Sequence, residues 1–204
     1  ILESGADPSE VELFEKDAAY FAEQHIGFPL QAKLGDAYLL VELDGNDEVE
    51  LAARGELIMD AVRATALEII PLIDKDDERK AKMIRDNLLI GLMEYTKYEM
   101  LDEVVPINKF AELISYTKEL GKKHGINVLN FGHAGDGNIH TILMHGELTE
   151  DEWATRRIAL LDDLYARVSE LGGLPSAEHG IGTAKKPYFE KLTADTNLKY
   201  MREI

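Results

Sequence analysis

The sequence predicts an α+β protein in which an antiparallel or mixed sheet is covered by helices on one face. Two observations lead to this prediction. Apolar runs typical of strands alternate with amphipathic stretches of helical period, and the last two apolar runs, 126–131 and 138–146, are joined by a short glycine-rich loop. A loop of this length suits antiparallel neighbours. No internal repeat or linker interrupts the chain, so a single unit over residues 1–204 is the simplest expectation.

The first half of the chain is predicted to contain three helices and two strands. Asp7, Pro8 and Glu10 form a helix-start signal with a capping box, so a helix is expected from Asp7 to about His25. The remaining expected elements are a strand at 36–45, a helix at 47–65, a strand at 67–74 with an edge or bulge at Pro71, and a helix at 76–95.

The second half begins with a predicted strand at 100–107 and a helix at 109–125 that ends at Gly125. The strands 126–131 and 138–146 follow. Thr149 and Glu152 form a capping box that opens a helix over 149–171. The chain stops within a last helical stretch at 200–204.

The composition excludes several classes of protein. The apolar fraction of 45% and charged fraction of 30% are ordinary for a soluble globular protein. A net charge of −17 argues against nucleic-acid binding, which needs clustered Lys and Arg. The absence of cysteine excludes disulfides, zinc fingers, iron–sulfur ligation and thiol nucleophiles. No run is long and apolar enough to span a bilayer, and a cytoplasmic location is expected.

Two glycine-rich stretches carry the candidate chemistry. FGHAGDGNIH at 131–140 places His133 and His140 at the ends of a hairpin loop, which would let them converge. SAEHGIG at 176–182 adds Glu178 beside His179. Two imidazoles and a carboxylate suit a divalent metal such as zinc, manganese or iron. These residues therefore predict a metal site if the fold brings the two stretches together.

The first stretch also allows a simpler interpretation. Asp136–Gly137 is a strong hairpin-turn signal, so His133 and His140 could merely flank a turn. A phosphate loop is less well supported, because the glycines lack the GxGxxG order and no helix begins directly after them. The residues alone thus indicate a His/His/carboxylate site without assigned chemistry.

The motifs GHAGDGNIH (132–140) and EHGIG (178–182), in this order and at this spacing, resemble the C-terminal domain of FAD-linked oxidases. That family includes the glycolate oxidase flavin subunit, D-lactate dehydrogenase and D-2-hydroxyglutarate dehydrogenase. Lys185 is placed as in the family's EHGIGxxK, and the stretches AYLLVELDG and LDEVVP resemble family strands. The resemblance covers nearly the whole chain. It implies a ferredoxin-like α+β fold.

The resemblance also implies a place within a larger protein. Residues 1–204 would be the substrate, or cap, domain of a flavoprotein whose FAD-binding domain precedes Ile1, and a first residue other than methionine agrees with this expectation. The fragment alone is expected to be inactive, because hydride would have no acceptor.

The implied reaction is oxidation of a D-2-hydroxy acid, of the D-lactate or glycolate type, with hydride passing to the N5 atom of FAD. By the same resemblance a divalent metal would be held by His133, His140 and Glu178. His179 would be the base that takes the hydroxyl proton, and Asn138 would lie near the flavin or substrate.

Two further positions carry alternatives. The family often places Trp-x-x-Arg on its long helix, and the matching stretch here is KMIR at 82–85, without the tryptophan. Arg85 is either the clamp for the substrate carboxylate or a surface helix residue. Lys185 either helps to bind an FAD phosphate or caps its own loop.

The partners implied are a small 2-hydroxy acid and an electron-acceptor protein, such as an iron–sulfur subunit or an electron-transfer flavoprotein, and self-association is left open. Two other classes of function remain. The chain could be a noncatalytic interaction domain of the same fold, or a metal-dependent hydrolase that uses His133, His140 and Glu178.

Overall fold

The computed structural model describes all residues from Ile1 to Ile204, and it confirms the α+β class with antiparallel strand pairing. The elements in chain order are β1 Glu10–Glu15, α1 Lys16–Ile26, β2 Ala37–Glu42, α2 Glu48–Val62, α3 Lys75–Asp86, α4 Leu88–Met93, β3 Tyr98–Met100, β4 Glu103–Val104, a 3₁₀ turn Ile107–Lys109, α5 Phe110–His124, β5 Asn127–His133, β6 Asn138–Met144, α6 Glu150–Glu170, α7 Lys186–Leu192 and α8 Asp195–Glu203.

The chain divides into two compact units. The first unit comprises residues 1–96 and 131–135, and the second comprises residues 97–130 and 136–204. The strand β5 contributes residues to both, since its last three residues belong to the first unit. None of the helices combines the length and the apolar character that crossing a lipid bilayer requires.

The first unit is built around β1. This strand pairs antiparallel with β2 along its length and with the end of β5, where Phe14 lies opposite Phe131 and Glu12 opposite His133. Helix α1 packs on α3 and α4. The core of this unit is formed by the aromatic ring of Phe14 together with small and aliphatic side chains, namely Ala18, Ala19, Ala22, Ile84, Leu88 and Leu92. This register fixes which side chains of β1 and β5 meet.

The second unit is built around β6. That strand pairs antiparallel with β3 and with β4. In the pairing of β4 with β6, Glu103 lies opposite Ile139. Helices α5 and α6 pack together. The buried side chains include Leu113, Ile139, Ile142, Leu143, Leu160, Leu164 and Tyr165. The loop after α6 joins this unit at β4 through a pair of backbone hydrogen bonds between Val104 and Leu174.

Most of the predicted elements are present. The helix expected at 47–65 is α2, where the Asp47 side chain accepts hydrogen bonds from the first turn. Helix α5 ends at Gly125 in the left-handed conformation. The Thr149–Glu152 capping box of α6 is complete. The strands predicted at 36–45, 126–131 and 138–146 correspond to β2, β5 and β6.

The helix predicted from Asp7 is wrong over its first half, since residues 10–15 form β1. Asp7 itself has φ 50 and caps no helix. The capping signal is overridden because β1 gains pairing partners on both edges and buries Val11 and Phe14. The helix α1 then runs from Lys16 to the Gly27 cap.

Three other boundaries also differ from the predictions. Residues 67–74 form no strand, and their Glu68 carboxylate instead accepts the Lys33 N–H at 2.7 Å. The helix expected over 76–95 breaks at Asn87, whose side chain donates to the Met83 carbonyl at 2.8 Å. The strand expected at 100–107 is interrupted at Asp102, which separates β3 from β4. The first difference is accompanied by a long-range hydrogen bond and the second by a local one.

Replacement of Gly91 by alanine is expected to destabilise the fold. Gly91 lies on α4, where an added Cβ would collide with the Phe21 carbonyl of α1. Overpacking of this kind costs about 2–3 kcal/mol. Gly55→Ala is the matched control, because nothing lies within 4 Å of a Cβ in α2 at that position. The control is expected to gain about 0.5–1 kcal/mol. Denaturant unfolding measures both, and equal effects would contradict the close α1–α4 packing.

Candidate functional site

Four side chains of the second unit converge on one point. They belong to Asp102, His140, Glu178 and His179, and one potential ligand atom from each lies within 4.8 Å of every other. His140 lies on β6, whereas Glu178 and His179 lie in the loop that follows α6. The group therefore combines a strand residue with a glycine-rich loop. We call these residues the second-unit cluster.

The two imidazoles of this cluster both approach the same carboxylate oxygen. The Nε2 atom of His140 lies 3.4 Å from Oε1 of Glu178, and the Nε2 atom of His179 lies 3.6 Å from it. The two rings are stacked, with centroids 4.9 Å apart and planes at 1°. The His140 side chain is 9% exposed, while those of Glu178 and His179 are 53% and 34% exposed. The cluster is thus buried on the strand side and accessible on the loop side.

Asp102 holds the loop in place. Its Oδ2 atom accepts the Ser176 hydroxyl at 2.7 Å. The same oxygen accepts three successive backbone N–H groups, from Ala177 at 3.0 Å, Glu178 at 3.1 Å and His179 at 2.9 Å. Asp102 is fully buried. Because this oxygen is surrounded by donors, it acts as an anchor for the loop backbone more readily than as a metal ligand.

Two predicted site residues support this anchor. Asn138 is buried on β6, and its Nδ2 atom donates to Oδ1 of Asp102 and to the Glu103 carbonyl, both at 3.0 Å. The Nζ atom of Lys185 donates to the Ser176 hydroxyl at 3.3 Å and lies 3.6 Å from Oδ2 of Asp102. Lys185 therefore contacts the loop that carries Glu178 and His179, and its two predicted roles stay predictions.

The pKa values of Asp102 and its neighbour Glu103 are shifted in opposite directions. Burial raises the pKa of Asp102, but hydrogen bonds from Ser176, the His179 N–H and Asn138 outweigh burial and hold that pKa well below its usual range. Burial raises the pKa of the Glu103 carboxyl to about 8, and the charge on Asp102 adds to that rise. Asp102 is therefore the ionised member of this pair at neutral pH.

The turn that precedes β6 requires glycine at 137. Gly137 has φ 80, and an added Cβ would collide with the Val105 carbonyl oxygen. Its own carbonyl accepts the Val105 N–H at 3.0 Å. The close approach of the turn to the end of β4 sets where β6 begins, and so places Asn138 and His140 beside Asp102.

The first unit contains a second group of site residues. Glu12 on β1 is 4% exposed, and its Oε1 atom lies 2.6 Å from Nδ1 of His133. Its other oxygen, Oε2, accepts a hydrogen bond from Nε of Arg85 at 2.9 Å and forms an ion pair with Nη2 at 2.8 Å. Burial acts to lower the pKa of Arg85, but the Glu12 carboxylate outweighs it and raises that pKa. We call Glu12, His133 and Arg85 the first-unit triad.

The structure thus brings together three of the predicted residues, His140, Glu178 and His179, and sets Asn138 and Lys185 beneath them. His133 and Arg85 meet in the first unit through Glu12. Sequence reasoning missed Asp102 and Glu12. A carboxylate beside a strongly apolar strand was the available signal for both, within LDEVVP and VELF. His145 packs against the ring of Trp153, away from these groups, with centroids 5.1 Å apart.

The second-unit cluster has the donor chemistry and the spacing of a metal site. Ligand atoms that lie about 2.0–2.2 Å from a metal are separated from one another by roughly 3–3.5 Å. The separations of 3.4 and 3.6 Å between the imidazoles and Glu178 fall near this range. Imidazole and carboxylate ligands suit zinc, manganese or iron. His140 and Glu178 therefore offer ligand atoms of the type and near the spacing that a divalent cation requires, with the His179 imidazole beside them.

Two solved structures share the fold. One is 4-ethylphenol oxidase from Gulosibacter chungangensis in its isoeugenol complex, with a TM-score of 0.59 and 12% identity over 99% of this chain and 45% of that chain. The other is p-cresol methylhydroxylase with substrate bound, with a TM-score of 0.61 and 12% identity over 94% of this chain and 42% of that chain. At this identity the likeness concerns the fold alone.

Sequence relatives are closer. The D-lactate dehydrogenases of Anaerostipes hadrus and Archaeoglobus fulgidus are 33% and 31% identical, each over 97% of this chain. The glycolate oxidase subunit GlcD of Bacillus subtilis is 27% identical over 97% of this chain. The chain spans 43%, 42% and 42% of these relatives. Residues 1–204 match the profile of FAD linked oxidases, C-terminal domain, and the chain belongs to that family.

Proposed function

We propose that this chain supplies the substrate site of a flavin-dependent 2-hydroxy-acid dehydrogenase or oxidase of the D-lactate or glycolate type. The observation that carries the proposal is the convergence of the His140 and His179 imidazoles on Glu178 above a buried anchor, Asp102. The relatives named D-lactate dehydrogenase and glycolate oxidase subunit support this substrate class. Because the chain spans less than half of them, the activity belongs to a larger protein in this proposal.

The proposal includes two bound groups, FAD and a divalent cation. Bound FAD would supply a two-electron acceptor, and a bound divalent cation would supply Lewis acidity that lowers the pKa of the substrate hydroxyl. His140 and Glu178 are the proposed ligands from the second unit. His133 stays the predicted ligand from the first unit.

His179 is the proposed base. Its Nε2 atom faces the same carboxylate as His140, on the accessible side of the cluster, where a substrate hydroxyl can reach it. An imidazole titrates near neutral pH and so can accept the hydroxyl proton as the C2 hydrogen leaves as hydride. The proton remains on Nε2 of His179, and the two electrons leave with the hydride. The product is the 2-oxo acid.

Substrate orientation is assigned to Arg85 in this proposal. A guanidinium binds a carboxylate through two parallel hydrogen bonds, and the Nη1 atom of Arg85 meets only the exposed Asp86 carboxylate, at 3.4 Å. In this proposal Asn138 acts indirectly, since its Nδ2 atom donates to Asp102 and to the Glu103 carbonyl. An iron–sulfur subunit or an electron-transfer flavoprotein is the proposed electron acceptor.

The decisive experiment is metal analysis of the full-length protein together with anaerobic bleaching of its flavin by D-lactate and glycolate. We expect about one metal ion per chain and bleaching that a chelator abolishes. Bleaching without metal would remove the cation from the proposal and leave the flavin reaction. Absence of bleaching, with metal-dependent ester hydrolysis in its place, would overturn the proposal in favour of a hydrolase.

Substitution of the two stacked histidines separates their roles. His179→Ala, which removes the general base, and His140→Ala, which removes a cation ligand, are each expected to lower the rate of flavin reduction at least about 100-fold. Only His140→Ala is also expected to lose metal. His25→Ala is the control, because this histidine lies on α1 and contacts Glu94. Stopped-flow absorbance and metal analysis check both, and a normal rate in either variant would remove that residue from its role.

Removal of the Asp102 charge is expected to loosen the loop. Asp102→Asn weakens the acceptor for the Ala177, Glu178 and His179 N–H groups, each of which donates to a charged oxygen. Hydrogen bonds of this kind contribute about 1.5–3 kcal/mol, so amide exchange of these residues should accelerate at least about tenfold. Asp151→Asn on the exposed start of α6 is the control. Hydrogen exchange with mass spectrometry measures the effect, and unchanged protection would contradict the anchoring role.

A further inference from the structure

The first-unit triad contains a carboxylate with two partners. Glu12 is nearly inaccessible, at 4% exposure, and it lies directly opposite His133 in the antiparallel pair of β1 and β5. Its two oxygens contact different residues: Oε1 contacts Nδ1 of His133, and Oε2 accepts a hydrogen bond from Nε of Arg85 and forms an ion pair with Nη2. A buried carboxylate in this position neutralises one charge and orients two side chains at once.

The contact with His133 fixes which ring nitrogen carries the proton. A carboxylate accepts hydrogen bonds only, so the Nδ1 atom at 2.6 Å must be the protonated nitrogen of a neutral imidazole. The Nε2 atom is then the one with a lone pair for a cation. Carboxylate–histidine pairs of this kind orient metal-binding imidazoles and increase their basicity.

The contact with Arg85 fixes the plane of the guanidinium. Because Nε donates to Oε2 of Glu12 and Nη2 lies 2.8 Å from the same oxygen, that edge of the guanidinium is occupied and cannot hold a second carboxylate. Glu10, two residues earlier on β1, approaches Nη2 only to 3.7 Å. Glu12 is therefore the contact that sets the orientation in which the Nη1 side of Arg85 is presented.

We propose that Glu12 is a positioning residue that holds His133 in its Nδ1-protonated tautomer for cation binding and holds Arg85 for substrate carboxylate binding. This inference rests on the proposed function for the roles of His133 and Arg85. Glu12 connects His133 and Arg85 because each of its two carboxylate oxygens contacts one of them. Loss of the charge on Glu12 is thus expected to affect metal affinity and substrate affinity together.

The test uses the full-length flavoprotein, with Glu12→Gln as the variant and Glu10→Gln as the matched control on the same strand. Competition with a chromophoric chelator measures Zn²⁺ affinity. We expect Glu12→Gln to raise the Zn²⁺ dissociation constant about 10- to 100-fold. Its KM for D-lactate or glycolate should rise by about tenfold or more, with a smaller change in kcat. The Glu10→Gln control should change neither quantity appreciably. Equal effects of the two variants would overturn the inference.

A second readout requires neither activity nor metal. In metal-free wild-type protein with ¹⁵N-labelled histidine at pH about 9, where an ordinary imidazole is neutral, the His133 signals should report protonated Nδ1. A His133→Gln variant assigns them. Protonated Nε2 in the wild-type protein would overturn the inference even if Glu12→Gln failed to fold. If the wild-type protein binds no metal, the metal part of the proposed function fails, and the tautomer alone then decides the inference about Glu12.

Discussion

The hydrogen bonds to one oxygen of Asp102 are the interaction on which the candidate site depends. Three successive N–H groups and a hydroxyl converge on that buried atom. A loop that carries a half-exposed carboxylate and an imidazole has little apolar surface to hold it in place. The buried charge of Asp102 holds the loop in place where apolar packing does not. The ordering cost of the loop is thereby met during folding, so a substrate or cation that binds there encounters an organised surface.

The first unit also contains a buried carboxylate that holds other polar side chains. Glu12, like Asp102, is a carboxylate buried beside strand pairing that serves polar groups from distant parts of the sequence. Breaking such a pair leaves an uncompensated group inside the protein, which costs more than the contact itself contributes. In both units, therefore, residues of the candidate site are held by a buried carboxylate.

The sequence predicted the elements whose signals are local. The capping box of α6, the Gly125 end of α5 and the Asp136–Gly137 turn each depend on neighbouring residues, and each is present. The stretch 10–15 was mistaken for helix because its strand character comes from pairing with β2 and β5, which no local pattern reports. Asp102 and Glu12 were missed because an acidic residue beside an apolar strand gives no indication of which residues it contacts. Their partners lie 74 and 121 residues away in the chain, at Ser176 and His133.

Glu103 changes how the charge of this protein should be counted. The chain has 39 acidic residues and a formal net charge of −17, but a carboxyl with a pKa of about 8 holds its proton at neutral pH. The interior of the second unit therefore contains one neutral acid next to one ionised acid. A group with a raised folded-state pKa withdraws stability as the pH rises, not as it falls. For Glu103 this loss spans the interval between its ordinary pKa of 4.5 and about 8, so an acid inside the fold lowers the free energy of unfolding across the neutral range.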